Sequence, residues 1–406
     1  MIDKKKDIIK YISFFYVKII IGDNMKETIK KLDITLLIVT IVLLVFGLIM
    51  IFSASSIAAV LQYGATEHYF FRKQLVVMVA GAVIAFIVLF VPTKSYSVLS
   101  RLGIMGIIGV LIALTIYGTT TNSARSWFSI GPFSLQPSEF AKTIIILYLA
   151  CAYGNKKKFK FIYDIFIPII PCIIIFTLVA AEPDLGTAAI IASICMFIFF
   201  SLPLEKNKYI NFLKTGSFVL IGLVIAFFSF NDNMLTDTQA SRFNFKNPCE
   251  RYLEETGYQV CNGYIAIHNG GILGLGLGKS TQKYLYLPEA HTDFIFPIIV
   301  EELGLVGGAL VFILYLILLF RILVIARNAT TLRGSIIAFG TFGYIMTHII
   351  VNLGGLLALI PLTGVPLPFL SYGGSFLLNL MILIALTQRV AIETKETNKR
   401  LKKAVD

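Results

Sequence analysis

Charge is what this sequence has least of: Asp, Glu, Lys and Arg make up 14% of 406 residues, where about 25% is usual for a water-soluble domain. A surface solvated on all sides cannot be built from so few charges, which excludes a cytosolic enzyme and a disordered chain. Cysteine is scarce as well, five in all, with no CxxC pair and no His/Cys cluster. Neither a secreted disulfide scaffold nor a zinc site therefore organises the fold. HExxH, GxSxG and protein-kinase signatures are missing. The apolar segments are continuous and lack the alternation of a membrane β-barrel.

What is present is hydrophobic. Apolar residues make up 57% of the chain, and the mean hydropathy is +0.83. That is roughly 230 residues, enough for about ten spans of about 20 residues each. The sequence therefore predicts an all-α, polytopic membrane protein with about ten transmembrane helices. They lie at 33–53, 73–91, 99–118, 138–154, 164–181, 185–203, 210–230, 296–320, 334–360 and 371–390. A long extracellular loop, 231–295, falls between helices 7 and 8. The 31 glycines and 13 prolines suit a bundle whose spans tolerate helix breakers.

The net charge of +12 sits between the spans. Alternate connections are basic: Lys94 and Arg101; Lys156, Lys157, Lys158 and Lys160; Lys206, Lys208 and Lys214; Arg321, Arg327 and Arg333. This pattern reads as membrane topology and not as a nucleic-acid surface, and it places both termini in the cytoplasm. The expected organisation is a cytoplasmic segment 1–32, a membrane domain 33–390 and a basic cytoplasmic tail 391–406. The first 24 residues resemble a signal peptide only weakly, since no small-residue cleavage site follows. They read as an interfacial segment or as sequence ahead of a true start at Met25, the second being preferred. Cys249 and Cys261 lie in the long loop, twelve positions apart. A disulfide and two free thiols both fit that spacing.

Four stretches concentrate polar residues on the outer side. Residues 123–142 hold Arg125 and the single tryptophan, Trp127, then Pro137 at a helix start. Glu139 and Lys142 follow, three apart and so on one helical face. An aromatic anchor with a capping Glu is the competing reading. Residues 182–187 carry Glu182 and Asp184 around a proline, with Asp184 placed to cap the next helix. Glu182 could instead pair with a cation from another loop. Residues 279–304 bring Lys279, Glu289, His291 and Asp293 up to a strongly apolar segment. A carboxylate there has low dielectric on one side and water on the other, a setting that suits a general base. Helix capping is the alternative for Asp293, and Glu301 and Glu302 are expected to pair inside the bundle. The run GGILGLGLGKS at 270–280 is not a phosphate loop, because Leu273 stands where the pattern needs Gly and no strand precedes it. Its glycines predict tight backbone packing or a re-entrant turn. Pro361, Pro366 and Pro368 break the helix in 361–375, which predicts a cavity wall with Pro368 as a structural residue.

Taken together and in this order, the four stretches resemble the signature segments of the SEDS family (shape, elongation, division and sporulation) over residues 33–390. The run YLPEAHTDFIF with EELG after it is most similar to the FtsW branch. The resemblance implies a peptidoglycan glycosyltransferase that polymerises lipid II at the outer face of the bacterial cytoplasmic membrane, for cell division. It implies Asp293 as the catalytic residue, with Trp127, Glu139 and Lys142 in the same cavity. It also implies a monofunctional penicillin-binding transpeptidase and the division machinery as partners. Departures are Ser126, where many relatives carry a second basic residue, the Cys249/Cys261 insertion and the N-terminal extension. Inverting transfer to a sugar 4-hydroxyl needs one base. Arg125, Lys142 and Lys279 would screen the diphosphate, alone or with a divalent cation, Mg or Mn. Glu289 and His291 complete the candidate substrate contacts. Two other functions fit the same composition: a lipid II flippase and a non-enzymatic scaffold for a transpeptidase.

Overall fold

The computed structural model describes residues 25–117, 119–121, 124–130, 133–156, 159, 163–182, 184–203 and 245–405. Long apolar runs must satisfy their backbone internally once in lipid, and they do so as helices. A short α1 (Met25–Lys30) precedes α2 (Ile34–Leu61), α3 (Tyr69–Phe90) and α4 (Tyr96–Tyr117). Then come α5 (Pro137–Gly154), α6 (Tyr163–Ala181, with a 3-10 turn at Ile167–Ile169) and α7 (Leu185–Ser201). Within the stretch expected as the long loop, 231–295, lies α8 (Glu255–Gly270), and α9 (Ile295–Asn328), α10 (Leu332–Leu356) and α11 (Gly374–Val405) follow. Seven of them, α2, α3, α4, α6, α9, α10 and α11, are long and apolar enough to cross a membrane. The protein is an all-α, multi-pass membrane protein. The span expected at 210–230 lies outside the described residues.

Besides the helix inside the expected loop, three features depart from the sequence reading. The connection expected as a loop at 119–137 carries a small antiparallel sheet of β1 (Thr119–Thr121), β2 (Ala124–Ile130) and β3 (Phe133–Leu135), in that order. The eighth span is two helices end to end, because Gly304 breaks α9 with φ 71° and ψ −178°. The last span does not stop at 390; α11 continues through the basic tail to Val405.

Burial locates the centre of the bundle. Protein covers 83% of the most apolar window of α11 and 67% of that of α10, against 17% for α3. The more exposed helices are thus α2, α3, α4, α6 and α9; α3 packs on α11, α9 on α10, and α4 and α6 on α5 and α7. One end of this bundle gathers the charges of several elements. Asp33 caps α2 by accepting from Leu36 N at 2.9 Å and pairs with Arg321 of α9. Lys31 pairs with Glu396 at 3.1 Å, and Glu393 accepts from Thr93 N at 2.7 Å and from Arg389 Nε at 3.1 Å.

Cys249 and Cys261 form a disulfide, with their Cα atoms 4.9 Å apart. It pins the turn before α8 to the helix itself. Reduction, or Cys249→Ser, is expected to lower the local stability of this segment by about 2–4 kcal/mol. Hydrogen exchange across 249–262 should accelerate; exchange unchanged by reduction would show that the bridge constrains nothing.

Candidate functional site

Pro137 opens α5, where its missing N–H is no loss, and this start aims the first turns of the helix into the bundle. Lys142, with no exposed surface, pairs with Glu139 at 2.7 Å. Tyr344 of α10 donates its hydroxyl to the other Glu139 oxygen at 3.2 Å. His348 Nδ1 lies 3.2 Å from the carbonyl of Pro366, which can only accept, so that nitrogen carries the hydrogen. Its Nε2 is left as an acceptor, 3.4 Å from Lys142 Nζ. Asn352, one turn further along α10, donates from Nδ2 to the Asp293 and Val365 carbonyls, both at 2.8 Å. These hydrogen bonds, joined by the Val365–Pro366 peptide, link Glu139 and Lys142 through α10 and the proline-rich segment to the main chain at Asp293.

The Asp293 carboxylate is half-buried and accepts from the Thr292 hydroxyl at 3.1 Å. It is not the cap of α9; Phe294 takes the cap position, without a side-chain bond. A Cβ built on Gly364, whose φ is +67°, would stand 3.7 Å from Asp293 Oδ2, so the proline-rich segment passes directly against the carboxylate. Tyr372 N donates to the His291 carbonyl at 2.9 Å and holds the two segments in register.

The remaining stretch joins from the other side. Asp184 caps α7 by accepting from Thr187 N at 3.0 Å, and its second oxygen accepts from Gln136 Nε2 at 3.2 Å, at the start of α5. A Cβ on Gly186 would lie 2.9 Å from Val365 and 3.0 Å from Thr363, so α7 begins against the wall next to Asp293. Among the described residues Glu182 does not find a cation. Its side chain is buried and both carboxyl oxygens lack a hydrogen-bond partner. Burial, with the charge of Asp184 added, pushes its pKa from the usual 4.5 up to about 8.

That shift has a measurable sign. Between 4.5 and about 8 the folded state holds a proton that the unfolded state has lost. The stabilisation is complete below this window and falls as pH rises through it. Glu182→Gln is expected to flatten the dependence of thermal unfolding on pH over this range, whereas an identical slope in the variant would show Glu182 to be ionised throughout.

The other sequence candidates fall in different surroundings. Trp127 lies half-buried on β2, across from Thr119. Arg125 is on the same strand, and its side chain lies outside the described residues. His291 is buried against Phe70 and Tyr372, and burial lowers its pKa despite nearby Glu289. Glu289, with φ 55°, turns the chain and accepts from the Thr292 hydroxyl at 2.7 Å. Lys279 is exposed at the end of the glycine-rich run. Pro368 offers its carbonyl to the Tyr315 hydroxyl on α9. Glu301 and Glu302 are buried and paired: Glu302 with Lys283 at 3.1 Å and with Ser53, Glu301 with Ser280, Thr281 and Asn269. Among the described residues no group of three or more His, Cys, Asp or Glu side chains is placed to hold a metal ion.

A sequence family described as cell cycle protein, covering FtsW, RodA and SpoVE, matches residues 34–396. The chain belongs to this family. It is 36% identical over 383 residues to the probable peptidoglycan glycosyltransferase FtsW of Bacillus subtilis (strain 168), covering 93% of this chain and 95% of that protein. Stage V sporulation protein E of the same organism is 35% identical, over 88% of this chain and 96% of the relative. A chain of a peptidoglycan synthase complex, reported for its structural coordination of polymerization and crosslinking, shares the fold with a TM-score of 0.71. It is 24% identical over 89% of this chain and 98% of that one. The rod shape determining protein RodA of Thermus thermophilus has the same fold at a TM-score of 0.63, with 24% identity over 89% of this chain and 96% of its own.

In this FtsW/RodA/SpoVE-family chain the residues that sequence reading missed are Tyr344, His348 and Asn352. Their signal was available: three hydrogen-bonding side chains spaced by four along an apolar span share one helical face. Polar groups inside a membrane helix mark a functional or packing site.

Proposed function

We propose that the chain polymerises lipid II into glycan strands at the outer face of the cytoplasmic membrane, as a peptidoglycan glycosyltransferase of cell division. The observation that carries this reading is the convergence of four separated segments on Asp293. Its carboxylate is half-buried, and its main-chain carbonyl is held by Asn352 at the end of a series of contacts that begins at a buried Lys–Glu pair. In the reaction, the sugar 4-hydroxyl of one lipid II attacks the anomeric carbon of the growing strand. Asp293 takes the hydroxyl proton, the bond to the diphosphate breaks with inversion, and undecaprenyl diphosphate leaves. Diphosphate is a good leaving group once its charge is screened, so no general acid is required. Arg125 and Lys279 are the cations assigned to that screening.

Buried polar atoms without a partner among the described residues support a polar ligand here. Ser138 Oγ, Asn352 Oδ1 and Thr363 Oγ1 are among them, each adjoining the segments described above. Such groups are costly unless a ligand or water satisfies them. The partner we assign is a monofunctional penicillin-binding transpeptidase, which cross-links the new strand. The charged end around Asp33, Arg321 and Glu396 is assigned to the cytoplasm, along with both termini.

Proteoliposomes loaded with fluorescent lipid II separate the readings. Polymerisation predicts glycan products that a muramidase degrades. Appearance of lipid II in the opposite leaflet without product would instead identify a flippase, and neither activity would leave the scaffold.

A further inference from the structure

The glycine-rich run between α8 and α9 was excluded as a phosphate loop, and the catalytic reading uses none of its residues before Lys279. Its side chains point outward: Ile272 is 69% exposed, Leu273 83%, Leu275 40% and Leu277 55%. Its backbone, by contrast, is docked into the break of α9. Leu305 N and Val306 N donate to the carbonyls of Gly271 and Ile272 at 2.9 and 3.3 Å. Leu275 N and Gly276 N donate to the carbonyls of Glu301 and Glu302, both at 2.9 Å. The break at Gly304 would otherwise orphan these very groups. Only glycine permits the approach: a Cβ on Gly274 would meet Glu302 O at 2.3 Å, and one on Gly304 would meet Ile272 O at 2.1 Å. Protein thus pairs the backbone groups of Gly271, Ile272, Leu275 and Gly276 that face the break, and non-helical backbone is tolerated at membrane depth where protein buries it.

Helix geometry gives that depth. Asp33 and Arg321 pair at the charged end of the bundle, and Ser53 of α2 bonds to Glu302 of α9 at 2.6 Å. Ser53 is 20 residues from Asp33 (53 − 33) and Glu302 is 19 from Arg321 (321 − 302). At about 1.5 Å per residue, both helices place the Ser53–Glu302 contact about 30 Å from the charged end. The residues that hold Gly271 and Ile272, 305 and 306, are about 23 to 24 Å from it. The hydrocarbon core is about 30 Å thick, so this part of the run falls several ångströms inside its far boundary. It is also continuous with the lipid-facing surface of α9, where Leu305, Val306 and Leu310 are 53%, 48% and 57% exposed. No charge occurs from Gly270 to Gly278, and exposed Lys279 follows where the chain turns back toward the headgroups.

We propose that residues 271–277 form a re-entrant wedge whose Ile272, Leu273, Leu275 and Leu277 side chains are seated among the acyl chains of the outer leaflet. Hydrogen bonding to both sides of the Gly304 break makes the wedge the element that fixes α9, and Asp293 just before it, at a set depth. The inference does not depend on the reaction assigned to Asp293.

The test uses fluorescence depth measurement on the full chain in vesicles of phosphatidylcholine and phosphatidylglycerol. Trp127→Phe removes the single native tryptophan, and Leu273→Trp or, separately, Ile272→Trp places the probe. Leu305→Trp serves as the reference for a lipid-facing position. The wedge predicts blue-shifted emission, quenching by lipids brominated near the headgroup end of the acyl chain to the extent seen for Leu305→Trp, and weak quenching by aqueous acrylamide. Red-shifted emission quenched by acrylamide and not by bromolipid, at both probe positions, would overturn it. Protection from both quenchers would also overturn it, by showing that protein and not lipid covers the run.

Discussion

Asp293→Asn is expected to fold and to lose lipid II polymerisation by about two to four orders of magnitude. Asn has nearly the same size and can accept from the Thr292 hydroxyl as Asp293 does at 3.1 Å. The bond from Asn352 goes to the main-chain carbonyl and survives the change. What Asn cannot do is take a proton. Since Phe294 and not Asp293 occupies the cap of α9, the helix start loses nothing either. Initial rates on purified lipid II, with thermal unfolding as the control for folding, check this. A near-normal rate in the Asn variant would remove Asp293 from the role of base.

Lys142→Met is expected to have the second largest effect, first on the fold and then on the reaction. It would leave the Glu139 carboxylate buried without its cation; Lys142 has no exposed surface and Glu139 is 3% exposed. Breaking one side of such a pair costs about 3–5 kcal/mol. Glu139→Gln in the same chain removes the stranded charge, so the double variant should recover most of the stability. Activity should stay low, because His348 loses its donor and the chain of bonds to Pro366 and Asp293 is cut at its first link. The double variant polymerising at the wild-type rate would make the pair purely structural. No recovery of stability in it would show that the two charges are not coupled.

Much of this was legible in the sequence because the controlling physics is local or one-dimensional. Apolar runs of span length gave the helices, and the proline at 137 and the aspartate at 184 gave two helix starts. Asp293 stood out because a carboxylate next to IFPIIV is costly unless used. What periodicity could not supply was the pairing between distant segments. Lys142 read as a cation near the outer surface, yet α10 covers it completely and Glu139 neutralises it. Glu182, for which a cation from another loop was one option, is buried with no such partner among the described residues. The packing of the His291 ring on Phe70, 4.4 Å between centroids, likewise joins segments far apart in sequence. The break in α9 was hidden because Gly304 is one of several glycines in a segment of span length, and no proline marks it. Its cause, the docking of the 271–276 backbone, is a tertiary contact that no window of sequence contains.

The measurement closest to the central claim is the conversion of purified lipid II to glycan by the isolated chain, wild type and Asp293→Asn side by side, with and without its transpeptidase. The account predicts muramidase-sensitive strands from the wild type, with no comparable product from the Asn variant in either condition. Wild-type protein that makes no strands even with the transpeptidase, or an Asn variant that makes them at the wild-type rate, would contradict it.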